Sequence, residues 1–569
     1  MAFDGFVTKA IVFELKETIL GAKVNKVLEP TQNEIVLSLY NNGNNYSLLL
    51  SASPEYCRIN LTNHTKPNPQ NAYNFCMLLR KYLMGGKIVS IETDDLERTV
   101  EIQFACYNDL NDLVIRTLYV EIMSRQSNII LTNESGIIID TLRKVNSKRL
   151  VLPANPYTPA STNKRSFIKL EYFQDFNDII QNRLKDGDSS LTKILVSKFI
   201  GFSKSLVSET LSILHIIDDD FSDEDLKKLY NYLKRLIESI EKHDVFCKEI
   251  SEKDYVLALN QRGSATTNKL QINEFIDEFY YYKEEQALFL NSRNSLLRIV
   301  SSSLTKVYKK VENINSKLKE CEKKETYRLY GELLTANLYK IDQNSNMESI
   351  ELENYYEENK PITIPLDKTI TVQKNIEKYF KKYNKLKNAL EIVTIQKRDA
   401  EKELNYIESI VFSLGNARSM YDINQIYDEI VVNLKVKKDK NTVTQKHKIL
   451  SDKITLNHLV IDNFTIYIGK NNIQNDYIST KIAKANDIWF HTQQIHGSHV
   501  LLKNPNNIDI DDVPEEILYK CANLAKENSK GAESTNVSVD YCYAKYVKKP
   551  SGSKPGMVTY NNFKTMIIK

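Results

Sequence analysis

The stretch LRIVSSSLTKVYKKVENINSKLKECE, residues 297–322, decides how the rest of the chain is organised. Its apolar residues fall at Leu297, Val300, Leu304, Val307, Val311, Ile314, Leu318 and Cys321, an unbroken alternation of three and four. That is a heptad seam, and it asks for a partner helix rather than a broad globular face. A second seam runs from Ile376 through Tyr379, Tyr383, Leu386, Leu390, Val393, Ala400, Leu404, Ile407 and Val411 to Leu414, with Lys397 its one polar position. At about 1.5 Å per residue the second helix alone reaches about 58 Å, too long for a compact core. Between the two, Ile364 precedes Pro365 and is held extended, so no helix continues through it. Periodicity alone fits either a dimerisation rod or an intramolecular antiparallel pair with its tip at about 331–371.

Outward from this region, 569 residues are too many for one core, since single cores stop growing near ~250–300 residues. Charged residues make up 26% but the net charge is only +4, so attraction to nucleic acid has to come from local clusters. Two exist. From Tyr541 onward Lys545, Lys548, Lys549, Lys554, Lys564 and Lys569 occur without a single acid, and Lys435, Lys437, Lys438, Lys440, Lys446 and Lys448 follow Leu434. The 7 cysteines show no Cys-x-x-Cys spacing and are odd in number, as expected for reduced thiols of a cytoplasmic protein. Met1-Ala2-Phe3-Asp4-Gly5 lacks the order of a signal peptide, and no run approaches the ~18 apolar residues of a membrane span.

In chain order, Phe6 to Leu20 predicts an amphipathic helix, followed by strands at 24–28, 34–40, 46–51 and 57–61 with a hairpin signal at Asn42-Gly43-Asn44. A helix over 71–84 stops at Gly85-Gly86, and strands resume from Lys87 to about Asp140. Residues 172–244 read as short helices, in which Ile200-Gly201-Phe202-Ser203 resembles a helix-hairpin-helix turn; residues 255–268 read as a loop or hairpin. After the second seam, Phe464 to Gly469 is a strand closing in a glycine turn, Pro514 to Asn528 a helix, and 537–547 and 557–560 strands. The whole is an α+β multidomain chain, divided at 1–170, 171–270, 271–434 and 435–569.

His491, His496 and His499 raise zinc, but the spacing is not that of a helical site and no Cys joins them, so neither metal nor cofactor is expected. A nucleic-acid surface is the better reading: Trp489 and Phe490 supply stacking faces, glycines allow close approach and lysines meet phosphates. An aromatic core with polar turns is the competing reading. In the first domain, Glu97-Arg98 and the run Glu121-Ile122-Met123-Ser124-Arg125-Gln126-Ser127-Asn128 place charged and amide groups within strand text. No nucleophile elbow, phosphate loop, Ser/His/Asp set or carboxylate pair emerges, so no enzyme is expected.

Met1 to Phe6, Phe75 to Lys81, Ser127 to Leu131, Glu332 to Tyr339, Tyr379 to Leu386, Gly469-Lys470-Asn471-Asn472-x-Gln474-Asn475-Asp476, Gly497-Ser498-His499 and Val547 to Tyr560 together resemble the NFACT family, over essentially the whole chain. That family comprises the bacterial RqcH proteins and their animal counterpart, and also carries the older name of fibronectin-binding protein A-like. The resemblance implies an NFACT-N-like domain, a helix-hairpin-helix domain, a long antiparallel coiled-coil hairpin and a C-terminal RNA-binding domain. It implies an adaptor of ribosome-associated quality control that binds stalled large ribosomal subunits carrying peptidyl-tRNA. Such an adaptor recruits tRNA, alanine tRNA in bacteria, for template-free C-terminal tailing that marks the nascent chain for proteolysis. The expected protein is a cytoplasmic monomer, off the membrane. The family's tRNA-contacting Asp-Arg pair falls on Glu97 and Arg98, with Glu121, Ile122, Met123, Arg125, Ser127 and Asn128 beside it. Ribosome or RNA contacts are expected of Lys470, Asn471, Asn472, Asn475, Asp476, Trp489, His491, Ser498, His499, Lys548, Lys549 and Lys554. Two departures stand out: Glu97 reaches one methylene further than Asp, and His496 replaces the proline usual before Gly-Ser-His. The family's first domains resemble formamidopyrimidine-type glycosylases, yet Ala2-Phe3 supplies neither their proline nucleophile nor their glutamate. A surface adhesin, suggested by the older name, is the alternative.

Overall fold

The computed structural model describes residues 3–69, 71–147, 149–160, 162–185, 187, 190–252, 254–260, 271–341, 347–434, 454–504 and 506–569. The lysine cluster at 435–448 lies outside them. The chain forms two compact units, Met1–Gln286 and Ala287–Lys569.

In the first unit, helix α1 (Gly5–Ile19) starts where the buried Asp4 carboxylate accepts the Phe6 and Val7 amides, an N-cap. The sequence predicts an amphipathic helix here, but Phe6, Val7, Thr8, Ala10, Ile11, Val12, Glu14 and Leu15 are all buried. The reason is that α1 contacts both a sheet and later helices. The sheet is antiparallel and nine-stranded: β1 (Lys23–Thr31), β2 (Glu34–Asn41), β3 (Asn44–Ser51), β4 (Arg58–Leu61), β5 (Lys87–Glu92), β6 (Thr99–Tyr107), β7 (Leu113–Glu121), β8 (Asn128–Thr132) and β9 (Ile138–Thr141), in the order β4-β3-β2-β1-β5-β6-β7-β8-β9. Helix α2 (Asn74–Leu83) ends at Gly85, whose φ of 80° is the left-handed conformation that its position demands. A two-residue hairpin, β10 (Val145–Asn146) with β11 (Leu150–Val151), follows the sheet.

Helices α3 (Phe173–Lys185), α4 (Leu191–Lys198), α5 (Lys204–Leu214) and α6 (Asp223–Ile240) come next, then the ribbon β12 (Val245–Ser251) with β13 (Asp254–Leu259). Residues 255–259 are therefore strand; 261–270 lie outside the described residues. The core is continuous across residue 170: Phe6 meets Phe202 edge-on at 5.2 Å, and Phe167 touches Phe176, Phe199, Phe202 and Tyr230. The turn at Gly201 is pressed into that core. Gly201 has φ 80°, and a Cβ there would lie 2.4 Å from Leu96 O. Its carbonyl accepts the Gly5 amide at 3.0 Å, and Ser203 Oγ donates to Asp4 at 2.7 Å.

Helix α7 (Gln271–Glu322) begins with its amides at Ile272 and Asn273 bound by the two oxygens of the Glu14 carboxylate. Burial pushes Glu14 up to about 7.

In the second unit the rest of α7 leads to α8 (Lys324–Ala336), the ribbon β14 (Ser349–Asn354) with β15 (Lys360–Pro365), α9 (Val372–Asn416) and α10 (Met420–Asn433). Ile364 is extended in β15, paired with Ile350. Along α7 and α9 partner numbers fall as position rises. Arg293 donates to Leu414 O, Lys310 pairs with Glu403, and Ile314 packs with Val393 and Ala400. The order is that of two antiparallel helices, and the seam positions Val300, Val307, Ile314, Ala400, Ile407 and Leu414 are buried. Lys397 stays half-exposed beside Glu401.

The C-terminal part holds β16 (Asn457–Ile461), β17 (Phe464–Ile468), α11 (Asn472–Tyr477), β18 (Ile488–Thr492), β19 (Val500–Leu502), α12 (Glu515–Glu527), β20 (Val537–Tyr543), β21 (Val547–Lys548), β22 (Thr559–Tyr560) and β23 (Lys564–Ile568). Six strands form an antiparallel sheet, β16-β17-β19-β18-β20-β23, over α12. The glycine turn expected after β17 instead opens α11, because Asn471 caps it by accepting the Gln474 amide.

Candidate nucleic-acid interface

Leu96 is fully buried, and its carbonyl faces Gly5 and Gly201, each of which would clash with it if it carried a Cβ. The two residues that follow, Glu97 and Arg98, are half-buried, on the turn into β6. Backbone bonds fix them: Thr93 Oγ1 donates to Glu97 O at 3.0 Å, and the Ile122 amide donates to Arg98 O at 2.8 Å. Burial raises the Glu97 carboxyl, against the pull of the Arg98 charge beside it. Lys164 joins the group; burial first and the Arg98 charge second lower its pKa. It also borders a broad depression of about 1050 Å³ whose other cations are Lys193 and Lys204, among the hydroxyls of Ser190, Thr192, Ser197 and Ser208. No local sequence pattern marks Lys164: the charges of Glu97 and Arg98 lie more than sixty residues away, and its ammonium donates to Val196 O at 2.7 Å, on the later helix α4.

The run from Glu121 to Asn128 divides in two. Glu121 is buried and engaged by Arg149 and by Tyr157 Oη at 2.9 Å, Ile122 is core, and the buried Ser127 accepts the Met123 amide at 2.8 Å. Asn128 is saturated: its Oδ1 accepts from Ile129 N, Thr141 Oγ1 and Arg143 N, and its amide donates to Arg143 O. These four residues shape a turn. What it presents outward is Arg125 and Gln126, with Met123 half-buried beside them. Ser124 takes φ 54°, which holds the turn tight.

In the second unit the Gly469–Asp476 motif turns toward α9 and α10. Asn472 Nδ2 donates to Ser409 Oγ at 2.8 Å and to Glu429 Oε1 at 2.9 Å, while Asn471 and Gln474 both donate to Gln425 Oε1 at 2.9 Å. Asn475 Oδ1 accepts the His499 amide and occupies the space that a Gly469 side chain would need, 2.2 Å from that Cβ position. Asp476 pairs with Lys549 at 2.7 Å and accepts the Gly556 amide. Expected as RNA contacts, Asn471, Asn472 and Asn475 are buried parts of a clamp between elements.

Trp489 and Phe490, expected as stacking faces, are 1% and 0% exposed. Their place in the sheet makes them core: Trp489 packs on His499 and Tyr560 and donates to Ser479 Oγ at 3.1 Å. His499 and Ser498 are buried; His491 is half-buried. Burial pushes His491 down to about 4 and His499 well below the usual histidine range, so both are neutral at neutral pH. His496 stands apart, against Glu408 at 3.4 Å. Among the described residues no group of three or more His, Cys, Asp or Glu could hold a metal ion. Lys548 is exposed, whereas Lys554 lies over the Tyr406 ring and bonds Asn433. Among the described residues no helix is long and apolar enough to cross a membrane.

Against known proteins, the NFACT N-terminal and middle domains match residues 4–448, and the NFACT protein RNA binding domain matches residues 457–562. The chain is 34% identical to the Rqc2 homolog RqcH of Bacillus subtilis, over 100% of this chain and 98% of that protein. It is 32% identical to the Rqc2 homolog RqcH of Streptococcus pneumoniae strain D39, with the same coverage of each. Among solved structures, the N-terminal part of the fibronectin/fibrinogen-binding protein from Streptococcus suis is similar at 26% identity and a TM-score of 0.40, covering 50% of this chain and 100% of that one. With both domain families matched in order and full-length relatives above the level at which families are shared, the chain belongs to the NFACT family.

Proposed function

We propose that this chain is a ribosome-associated quality control adaptor of the RqcH type, acting in the cytoplasm as a monomer. It binds large ribosomal subunits blocked by peptidyl-tRNA and recruits tRNA, alanine tRNA by family resemblance, for template-free C-terminal tailing that marks the nascent chain for proteolysis. The ribosome makes the peptide bonds; the adaptor positions tRNA. The observation that carries this reading is the pair Glu97-Arg98, anchored through Leu96 between two glycines and flanked by Lys164. An arginine fork so held suits base stacking and phosphate contact. The depression next to it, between α4 and α5, is lined by Lys164, Lys193 and Lys204 and by serine and threonine hydroxyls with a single carboxylate, Asp218, a surplus of positive charge that suits a phosphate backbone. The paired α7 and α9 serve as a coiled-coil hairpin whose tip, β14 with β15, reaches a distant part of the subunit.

Gradient sedimentation tests this. After translation is stalled, the protein should travel with free large subunits at low salt and dissociate steeply as salt rises, because lysine–phosphate contacts release counterions. A protein that stays at the top of a low-salt gradient overturns the reading. Protease treatment of intact cells separates it from a surface adhesin, since the adaptor survives.

A further inference from the structure

The second unit encloses a cavity of about 200 Å³ that the clamp leaves open. One wall is α9, with Asn405, Tyr406 and Ser409; a second is the β18–β19 region, with His491, Ser498 and His499; the segment from Pro555 to Tyr560 lines a third side. Three properties define what fits. Its volume is below the ~300–1,000 Å³ of usual small-molecule pockets, a size for one heteroaromatic ring with its sugar. Its lining has no carboxylate, and Lys470 is its one lysine. The remaining groups are neutral. Burial keeps the His491 and His499 imidazoles uncharged, and Asn405 and Ser498 add mixed donors and acceptors, while Ser409 Oγ already donates to Tyr406 O and accepts from Asn472. A neutral wall of donors, acceptors and ring faces with a single cation matches a nucleobase edge joined to one phosphate. A carboxylate-free lining gives no partner to an amino group.

We propose that this cavity binds a single unstacked nucleotide of RNA, its base between α9 and the β18–β19 wall and its phosphate at Lys470. The inference deepens the RNA-binding reading given above and rests on it.

The test uses the full chain with AMP, CMP, GMP and UMP as probes, followed by calorimetry. At least one nucleotide should bind, and a hexanucleotide should displace it. Asn405 is exposed on α9, so Asn405→Trp plugs the mouth without touching the core; it should weaken binding at least about tenfold, the scale of one lost stacking contact. Lys470→Ala should weaken the nucleotide several-fold and leave the corresponding nucleoside unchanged. Unaltered unfolding midpoints show that both variants fold. The inference is overturned if none of the four nucleotides binds at millimolar concentration, if the plug changes nothing, or if a short alanine peptide occupies the site in their place. Co-sedimentation with large subunits is scored separately: its loss in the unaltered protein sinks the adaptor reading, whereas intact co-sedimentation without nucleotide binding sinks this inference alone.

Discussion

Asn472 Nδ2 lies 2.9 Å from Glu429 Oε1, across 43 residues of sequence, and this contact ties α11 to α10. The same carboxylate oxygen accepts from Tyr406 Oη at 2.8 Å, while Oε2 has no hydrogen-bond partner among the described residues. A motif that reads as an RNA signature is thus a buried joint.

Removing one side of the joint leaves buried polar groups unmatched. Asn472→Ala should destabilise the second unit by about 2 kcal/mol. The single tryptophan, Trp489, reports on that unit, so denaturant titration followed by fluorescence checks it. An unchanged midpoint would show that the clamp carries no stability.

Burial pushes Glu429 from 4.5 up to about 7. Between those values the folded protein holds a proton that the unfolded chain has released, so this group's contribution to stability falls as pH rises through the window. Glu429→Gln keeps the acceptor for Tyr406 and Asn472 without the charge. The variant should unfold with a flatter dependence on pH between about 5 and 8 and gain most over the natural protein near pH 8. Parallel curves for the two proteins would contradict the shift.

Two glycines separate conformation from packing. Gly21, at φ 82°, has open space for 4 Å around the point where a Cβ would stand, whereas a Cβ on Gly201, at φ 80°, would meet Leu96 O at 2.4 Å. Gly21→Ala should cost about 1 kcal/mol, the left-handed penalty alone. Gly201→Ala adds an overpacking cost of about 3 kcal/mol and displaces Leu96, Glu97 and Arg98. Thermal unfolding of both variants, with tRNA binding measured beside it, checks the contrast.

Within the run from Glu121 to Asn128, stability and binding should separate. Asn128→Ala strands the groups that its amide satisfies and should cost about 3 kcal/mol. Arg125→Ala, at an exposed position, should change stability by less than about 0.5 kcal/mol and lower the salt slope of RNA binding by about one. Equal loss of stability in both would reverse the division.

Arg98→Ala should abolish tailing while large-subunit co-sedimentation persists. Arg98→Lys should not restore it, because an ammonium lacks the planar fork. Equal loss of tailing and subunit binding in the alanine variant sinks the role assigned to Arg98.

The sequence by itself determined the long helices, because a three-four alternation is a local statement about which face of a helix is apolar. It likewise determined the stop at Gly85 and the extended Ile364, each set by backbone chemistry within a few residues. Tertiary structure alone decided whether a polar or aromatic residue faces solvent. Trp489 and Phe490 carry the composition of a stacking surface, yet β18 sits between β19 and β20 and buries both. Asn472 and Asn475 look free in sequence and are consumed by Glu429 and His499, partners many residues away. Lys164 meets the charge of Arg98 across more than sixty residues while its ammonium is held by Val196 O of α4. Periodicity is encoded by neighbours in the chain; burial of a polar group is decided by what folds against it.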